Sequence, residues 1–522
     1  MRVNVSCSEP KLLLRSRLYK SPVWRLGFKG PIGGPAVIGS LEVSNTRSQV
    51  ILLAFPSRYD GSCSSLTIFR PVEVFVPTAA SNDKVATLTT SYLPSRFASA
   101  FRSLRHRNFQ LFFAGQLISL VGTWMQNVAE AWLIYRLTGS SLLLGAVSFC
   151  SQIPIFLLSP IGGAVVDRRN RHRVIIVTQT LSMILASILA AITLLGVVKV
   201  WHVFVLAALL GFVNAFDIPA RQAFIVEMVG REDLMNAIAL NSSMFNSARV
   251  VGPAIAGILV ATIGEGWCFF ANAVSYIAVL AGLLMMKVPR WTPHSRETSA
   301  IEDIKEGFLW VLQTKPIFAL LLLVGIVSLV GMPYAVLMPI FADQILHSGA
   351  RGLGMLMGFS GTGALIGAMA LAAKSSLRGL GTWVAAASAS FGVFLILFSY
   401  SRVFRVSALL LIPIGMSMMV QMASTNTLVQ SMVPDRLRGR IMSVYSMMMM
   451  GMAPLGALLA GALSERMGAP LTVAAGGACS ILGSIWFRTQ LKEFRIEARR
   501  LIIAQTYAGG DPAQEITTVR ES

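Results

Sequence analysis

Glu130, Asp217, Arg221, Arg249 and Asp343 lie inside long apolar stretches of the chain. Near the middle of a bilayer such a group costs about 2.5–3.5 kcal/mol on insertion scales, so it marks a proton site, a counter-charge or a brace between helices. Asp217 and Arg249 fall at similar depths in neighbouring stretches and are expected to pair, or at least to share one polar network. Arg221 stands one helical turn from Asp217 and competes for it. The pair fits a contact made and broken during a working cycle, protonated at Asp217. It fits a permanent structural bridge equally well. Glu130 and Asp343, toward the outer ends of the first and seventh stretches, are two further carboxylates able to take up and release a proton in a low-dielectric site. A solvated helix end also accounts for Asp343.

Uncharged polar and aromatic residues accompany them. Trp124, Gln126, Asn127, Trp132, Asn214, Asn246, Gln421 and Asn426 are expected to line a cavity, the two tryptophans as stacking surfaces. Interhelical hydrogen bonding is the competing use of the amides. Methionine clusters in "MSMMVQM" and "SMMMMGM" offer either an adaptable apolar surface or lipid-facing filler. Gly252, Pro253 and Gly257 put close packing and a bend into one stretch. The chain carries no H-E-x-x-H, G-x-S-x-G or Walker-type G-x-x-x-x-G-K-[ST] motif. Its five cysteines are too scattered for a metal site or a disulfide framework. No enzyme, metal or cofactor is expected.

The elements that hold these residues follow from composition. The 522-residue chain is 54% hydrophobic and only 13% charged, against about 25% charged in a soluble domain. Lys and Arg outnumber Asp and Glu by 44 to 24. They sit in short loops between apolar segments, which fits the positive-inside rule and argues against a nucleic-acid partner. Spans are read near 108–137, 141–166, 174–196, 202–228, 233–263 and 266–287, then near 317–346, 352–374, 379–400, 404–432, 437–463 and 469–489. These segments, 21–31 residues long, are too long for barrel strands and show no strict alternation, which excludes a β-barrel. The fold class is therefore all-α integral membrane, with twelve transmembrane helices. The division is an N-terminal extension at 1–98, a six-helix bundle at 99–287, a linker at 288–316, a second bundle at 317–490 and a tail at 491–522. The extension is Ser-, Pro- and Arg-rich and holds no methionine between Met1 and Met125. It is expected to have little order, or to be upstream sequence included by a misplaced start. The basic loops place both termini and the linker in the cytoplasm, with "IEDIKEGFLWVL" lying along the membrane surface.

The bundles repeat: "SLVG" at Ser119–Gly122 returns at Ser328–Gly331, "FIVEMVGRED" is echoed by "LVQSMVPDRL", and "VGPAIAG" by "MAPLGALLAG". Such duplication is a mark of secondary transporters. Between spans two and three, Gly163, Asp167, Arg168 and Arg171 form G-x-x-x-D-R-x-x-R. Gly163 would admit a neighbouring helix closely, and Asp167 on the same face would accept from the N-terminus of span eleven, where Arg436, Arg438 and Arg440 cluster. This is a latch closing the cytoplasmic side, its arginines held at an anionic inner leaflet. The second-half copy, "GAMALAAKSSLRG", lacks the aspartate, so the latch is one-sided.

That loop resembles the signature loop of the major facilitator superfamily. With "FRSLRHRNFQLFFAGQLISLVGTWMQ", "FDIPARQAF", "ARVVGPAIAG" and "PDRLRGRIMSV", residues 101–490 resemble its enterobactin-exporter-like branch. The resemblance implies two pseudo-symmetric six-helix bundles in a bacterial inner membrane. It also implies export of a siderophore or drug-like molecule by alternating access and proton antiport, by a chain expected to be monomeric. Spans one and seven would line the central cavity, and the glycine–proline element of span five would mark an antiporter. Uptake of a small metabolite, or a non-transporting scaffold, are the alternatives.

Overall fold

The computed structural model describes residues 101–230, 232–287, 300–374, 377 and 379–508. Earlier in the chain it describes six short strands, β1 Arg2–Val3, β2 Leu13–Leu14, β3 Trp24–Phe28, β4 Val37–Glu42, β5 Gln49–Ala54 and β6 Leu66–Thr67. They pair antiparallel as β1–β6 and β2–β3–β4–β5. The rest of residues 1–98, and with it the expectation of little order there, lies outside the described residues. Met1–Ser95 forms a unit of its own.

From Arg107 the chain is helical: α1 Arg107–Thr138, α2 Ser141–Asp167, α3 Arg171–Leu194, α4 Val200–Val229, α5 Leu234–Ile263 and α6 Glu265–Leu284 make the first bundle. The linker helix α7 spans Ala300–Gln313. The second bundle is α8 Lys315–Ile345, α9 Gly349–Ala372, α10 Leu380–Tyr400, α11 Phe404–Met432, α12 Leu437–Met467 and α13 Ala469–Ala508. Eleven of these helices are long and apolar enough to span a bilayer. At 32 residues α1 has the length of a twelfth, with Gln116, Gln126, Asn127 and Glu130 in its interior. α13 continues past the expected membrane boundary, where Phe494 packs against Gly381 and Arg495 donates to Thr382 at 2.9 Å. Loops are short, and glycines at positive φ (Gly139, Gly230, Gly264, Gly468) end helices, as residues without a Cβ do best.

Helix packing follows one repeated device. A proline inside a helix removes the donor for the carbonyl four residues back. Pro219 frees the Ala215 carbonyl, Pro253 that of Arg249 and Pro333 that of Leu329. In each case a glycine of a neighbouring helix seats against that oxygen: Gly162, Gly361 and Gly456 respectively. A side chain there would meet backbone, so glycine is needed. Where α8 and α12 meet, both helices widen into a π turn just before Gly-Met-Pro and Gly-Met-Ala-Pro, at Val327–Gly331 and Met447–Gly451. The linker helix docks on the start of α12: buried Gly307 lies against the Arg440 carbonyl, and Glu306 pairs with Arg440. Phe308, Leu309 and Leu312 of this helix remain exposed.

Candidate functional site

The bundles meet chiefly at the end away from the basic loops. There Ser141 of α2 donates to the Gly461 carbonyl of α12 at 3.0 Å, and Gly145 packs against Ala457. A Cβ on Gly257 of α5 would lie 2.8 Å from the Gly354 Cα of α9. Between α1 and α8, the Tyr135 hydroxyl donates to Asp343 Oδ2 at 2.8 Å. Beside them Arg136 pairs with Glu265 at 2.7 Å within the first bundle. Asp343 is thus held across the junction rather than left at a solvated helix end.

Asp217 pairs with Arg221 at 2.6 Å, not with Arg249. It also accepts from Thr178 at 2.7 Å and Gln179 at 2.9 Å, while Arg221 reaches Gln116 at 3.0 Å. The network is closed among α1, α3 and α4, because a partner one turn along the same helix is the nearest cation available. Arg249 is drawn elsewhere. Gly252 brings α5 so close to α1 that a Cβ would lie 2.5 Å from that of Trp124, and the Arg249 guanidinium lies 5.7 Å from the Trp124 ring centroid. Its Nη2 is 4.0 Å from the Met418 sulfur of α11. Phe245 meets Trp124 edge-on at 5.6 Å, and Tyr334 and Ser360 share a hydrogen bond of 2.9 Å on the facing bundle. Among the described residues no carboxylate reaches Arg249.

Glu130 does not line a cavity between the bundles. It faces a pocket of about 10 Å³ inside the first bundle, walled by Leu185 and Leu189 of α3 and Val203 and Ala207 of α4. That is room for one water molecule. Gln126 shares this face and accepts from buried Asn272 of α6 at 2.6 Å, so it too is interior glue rather than cavity lining. Asn246 donates to Ser242 of its own helix at 2.9 Å, and Asn426 accepts from Gln430 at 2.6 Å. Trp132 packs on Tyr135 at 5.6 Å between centroids. Asn127 is exposed and Asn214 half-buried. Gln421 is buried with neither amide atom partnered, as are the hydroxyls of Ser424 and Thr425.

At the basic end, Gly163 has open space where a Cβ would point, so it is not the point of close approach; its neighbour Gly162 is. Arg168 is exposed, and Arg171 pairs with Glu227 of α4 at 2.6 Å. The Asp167 and Arg436 side chains lie outside the described residues. Arg440 pairs with the linker and Arg438 is exposed. The approach to α1 is tied to α5 instead: Asp233 pairs with Arg102 and bonds His106 at 2.8 Å, and Ser103 donates to the Asp233 carbonyl at 3.0 Å. The His106 hydrogen bond, aided by Arg102, holds the Asp233 carboxyl below its usual range.

Residues 98–511 match the transmembrane secretion effector family of the major facilitator superfamily. The chain belongs to that family. It is 27% identical to the staphyloferrin A transporter of Staphylococcus aureus over 71% of this chain and 93% of the relative. It is 27% identical to the enterobactin exporter EntS of Shigella boydii over 76% and 93%. The multidrug efflux pump Tap of Mycolicibacterium fortuitum is 26% identical over 66% and 87%. The fold is shared with a bacterial homologue of the iron transporter ferroportin in an inward-facing state, at TM-score 0.58 and 18% identity over 74% of this chain and 98% of that one. The protein is a multi-pass membrane transporter of small molecules, not an enzyme. Tyr135, Gln116, Thr178, Gln179 and Asn272 complete the networks without having been singled out in the sequence, whereas Met418 belongs to the "MSMMVQM" cluster. Gln116 and Gln179 were detectable as amides in otherwise apolar stretches.

Proposed function

We propose that this transporter exports a small organic molecule, a siderophore or drug-like compound, by alternating access and proton antiport. The observation that carries the reading is where the bundles touch. Glycine-on-backbone packing and the Tyr135–Asp343 hydrogen bond join them at the end away from the basic loops. By the positive-inside rule the basic loops are cytoplasmic, so both termini are inside and the joined end faces outward. This is the arrangement of an inward-open carrier able to load from the cytoplasm, and family relatives named as exporters support that direction. The open space beside Gly163 fits a latch that is disengaged in this state and engages the start of α12 when the outer end parts.

Among the three acids, Asp343 ranks first as the coupling group, because its hydrogen bond spans the bundles and must break when they part. Asp217 is satisfied inside one bundle, and Glu130 sits in a pocket that moves with that bundle. Purified chain in proteoliposomes with an imposed pH gradient tests the reading against ethidium and iron-free siderophores. Gradient-driven movement that is abolished in Asp343→Asn and survives in Glu130→Gln supports proton antiport through Asp343. Loss only in Asp217→Asn or Glu130→Gln moves coupling into the first bundle. Movement indifferent to the gradient refutes antiport, and inward-only movement makes the protein an uptake permease.

A further inference from the structure

We infer that Arg249 is the anion-recognition residue of a substrate site at the junction of the bundles, fitted to an organic anion with an aromatic or apolar body. The inference deepens the exporter reading above by naming the substrate class, and it rests on that reading only for the direction of transport. Three observations carry it. Among the described residues no carboxylate stands against Arg249, a membrane-depth guanidinium, whereas the other mid-span arginine, Arg221, is held by Asp217 and Gln116. A half-buried guanidinium at membrane depth without a counter-charge is costly, and a bound anion with charge-assisted, forked hydrogen bonds offsets that cost. Its surroundings are built for an apolar body: the Trp124 face, the Phe245 edge and the Met418 sulfur. Trp124 and Phe245 come from the first bundle and Met418 from the second, so an occupant here touches both bodies that must move.

The third observation lies on α11. Gln421 and Thr425 follow Met418 at i+3 and i+7, on the same helix face. Both are buried, and their side-chain polar atoms have no partner. Unsatisfied buried groups are uncommon and call for a reason. Donors and acceptors one and two turns along α11 from Met418, which itself lies against Arg249, can orient the polar oxygens of a ligand whose charge sits on Arg249. Ligand sites are of this kind, apolar with a few convergent polar groups.

The test is equilibrium binding to the full chain purified in detergent. Three probes differ in charge at similar apolar size: 2-naphthoate, the neutral 2-naphthylmethanol and the cation tetraphenylphosphonium. The expected result is preferential binding of 2-naphthoate, weakened at least about tenfold by Arg249→Gln, the scale of a lost charged hydrogen bond. Arg249→Lys retains part of the affinity and Trp124→Leu loses part. The alcohol is indifferent to position 249, and the cation is indifferent or gains. Equal binding of 2-naphthoate by wild type and Arg249→Gln, or preference for the cation, overturns the inference. Should Arg249→Gln fail to fold, Arg249→Lys and Trp124→Leu decide: unchanged 2-naphthoate affinity in both overturns it. Ethidium efflux from vesicles without anion binding refutes the anion site but leaves the exporter reading. Anion binding without efflux of any compound does the reverse.

Discussion

Gly257→Ala tests whether the bundles part at their outer junction. In the structure the added methyl would lie 2.8 Å from the Gly354 Cα and 3.1 Å from the Arg351 carbonyl oxygen, both backbone atoms with no rotamer to turn away. Overpacking of this kind costs about 1–3 kcal/mol. The cost falls only on the state in which α5 and α9 touch, so it tilts the equilibrium toward the outward-open state by about 5- to 150-fold. The readout is alkylation of Ser141→Cys, in a variant lacking the other cysteines, by a membrane-impermeant maleimide added outside. Ser141 is buried against Gly461, so its labelling reports opening of that face. Labelling should accelerate within the same 5- to 150-fold range while rates saturate at full opening. An unchanged rate in a folded protein refutes the idea that these helices separate.

Tyr135→Phe removes a hydrogen bond to Asp343 that crosses the bundles and should shift the same labelling assay in the same direction, by the smaller amount that about 0.5–1.5 kcal/mol allows. Asp217→Asn leaves Arg221 without its counter-charge. Thermal unfolding in detergent should show a loss toward the lower end of about 3–5 kcal/mol, since Arg221 is partly exposed, and Arg221→Gln in the same chain should recover part of it. Asp233 lies outside the spans with its carboxyl held below the ordinary range, so it binds its proton less readily folded than unfolded. Its stabilisation is present above the unfolded value of about 3.9 and disappears as pH falls through the lower folded value. The stability difference between wild type and Asp233→Asn should therefore shrink as pH falls from about 5 and go on shrinking through the lower folded value.

The architecture was legible because membranes simplify the code: apolar length, proline and glycine punctuation and arginine-rich loops are one-dimensional signals. The ionisable residues were legible for the same reason, each standing out against an apolar background. Their partners were not. Asp217 and Arg249 share a depth, but depth says nothing of the rotation of α5 about its axis, which Gly252 sets by admitting Trp124. Glu130 was expected toward the centre of the molecule because α1 borders it, yet a helix has two sides and this residue faces α3 and α4. Gly162 and Gly163 are adjacent in sequence and differ by about 100° around the helix, so only contact with the carbonyl freed by Pro219 distinguishes them. The Tyr135–Asp343 bond joins residues 208 apart, a pairing that no local pattern records.

Gln421 provides the sharpest contrast between stability and use. A buried amide with neither atom bonded carries its desolvation penalty uncompensated, about 1–3 kcal/mol. Met has a similar volume, suits an apolar setting and places no donor or acceptor there. Gln421→Met should therefore raise the thermal unfolding transition of the purified chain, the opposite of what removal of a structural hydrogen bond would do. If the amide is kept for a ligand, the same substitution should weaken 2-naphthoate binding while leaving 2-naphthylmethanol binding unchanged. A protein that becomes more stable and binds less well has a residue maintained for function at a cost to the fold. A lower transition would instead mean that Gln421 is satisfied in solution, and its role would then be to hold α11 in place.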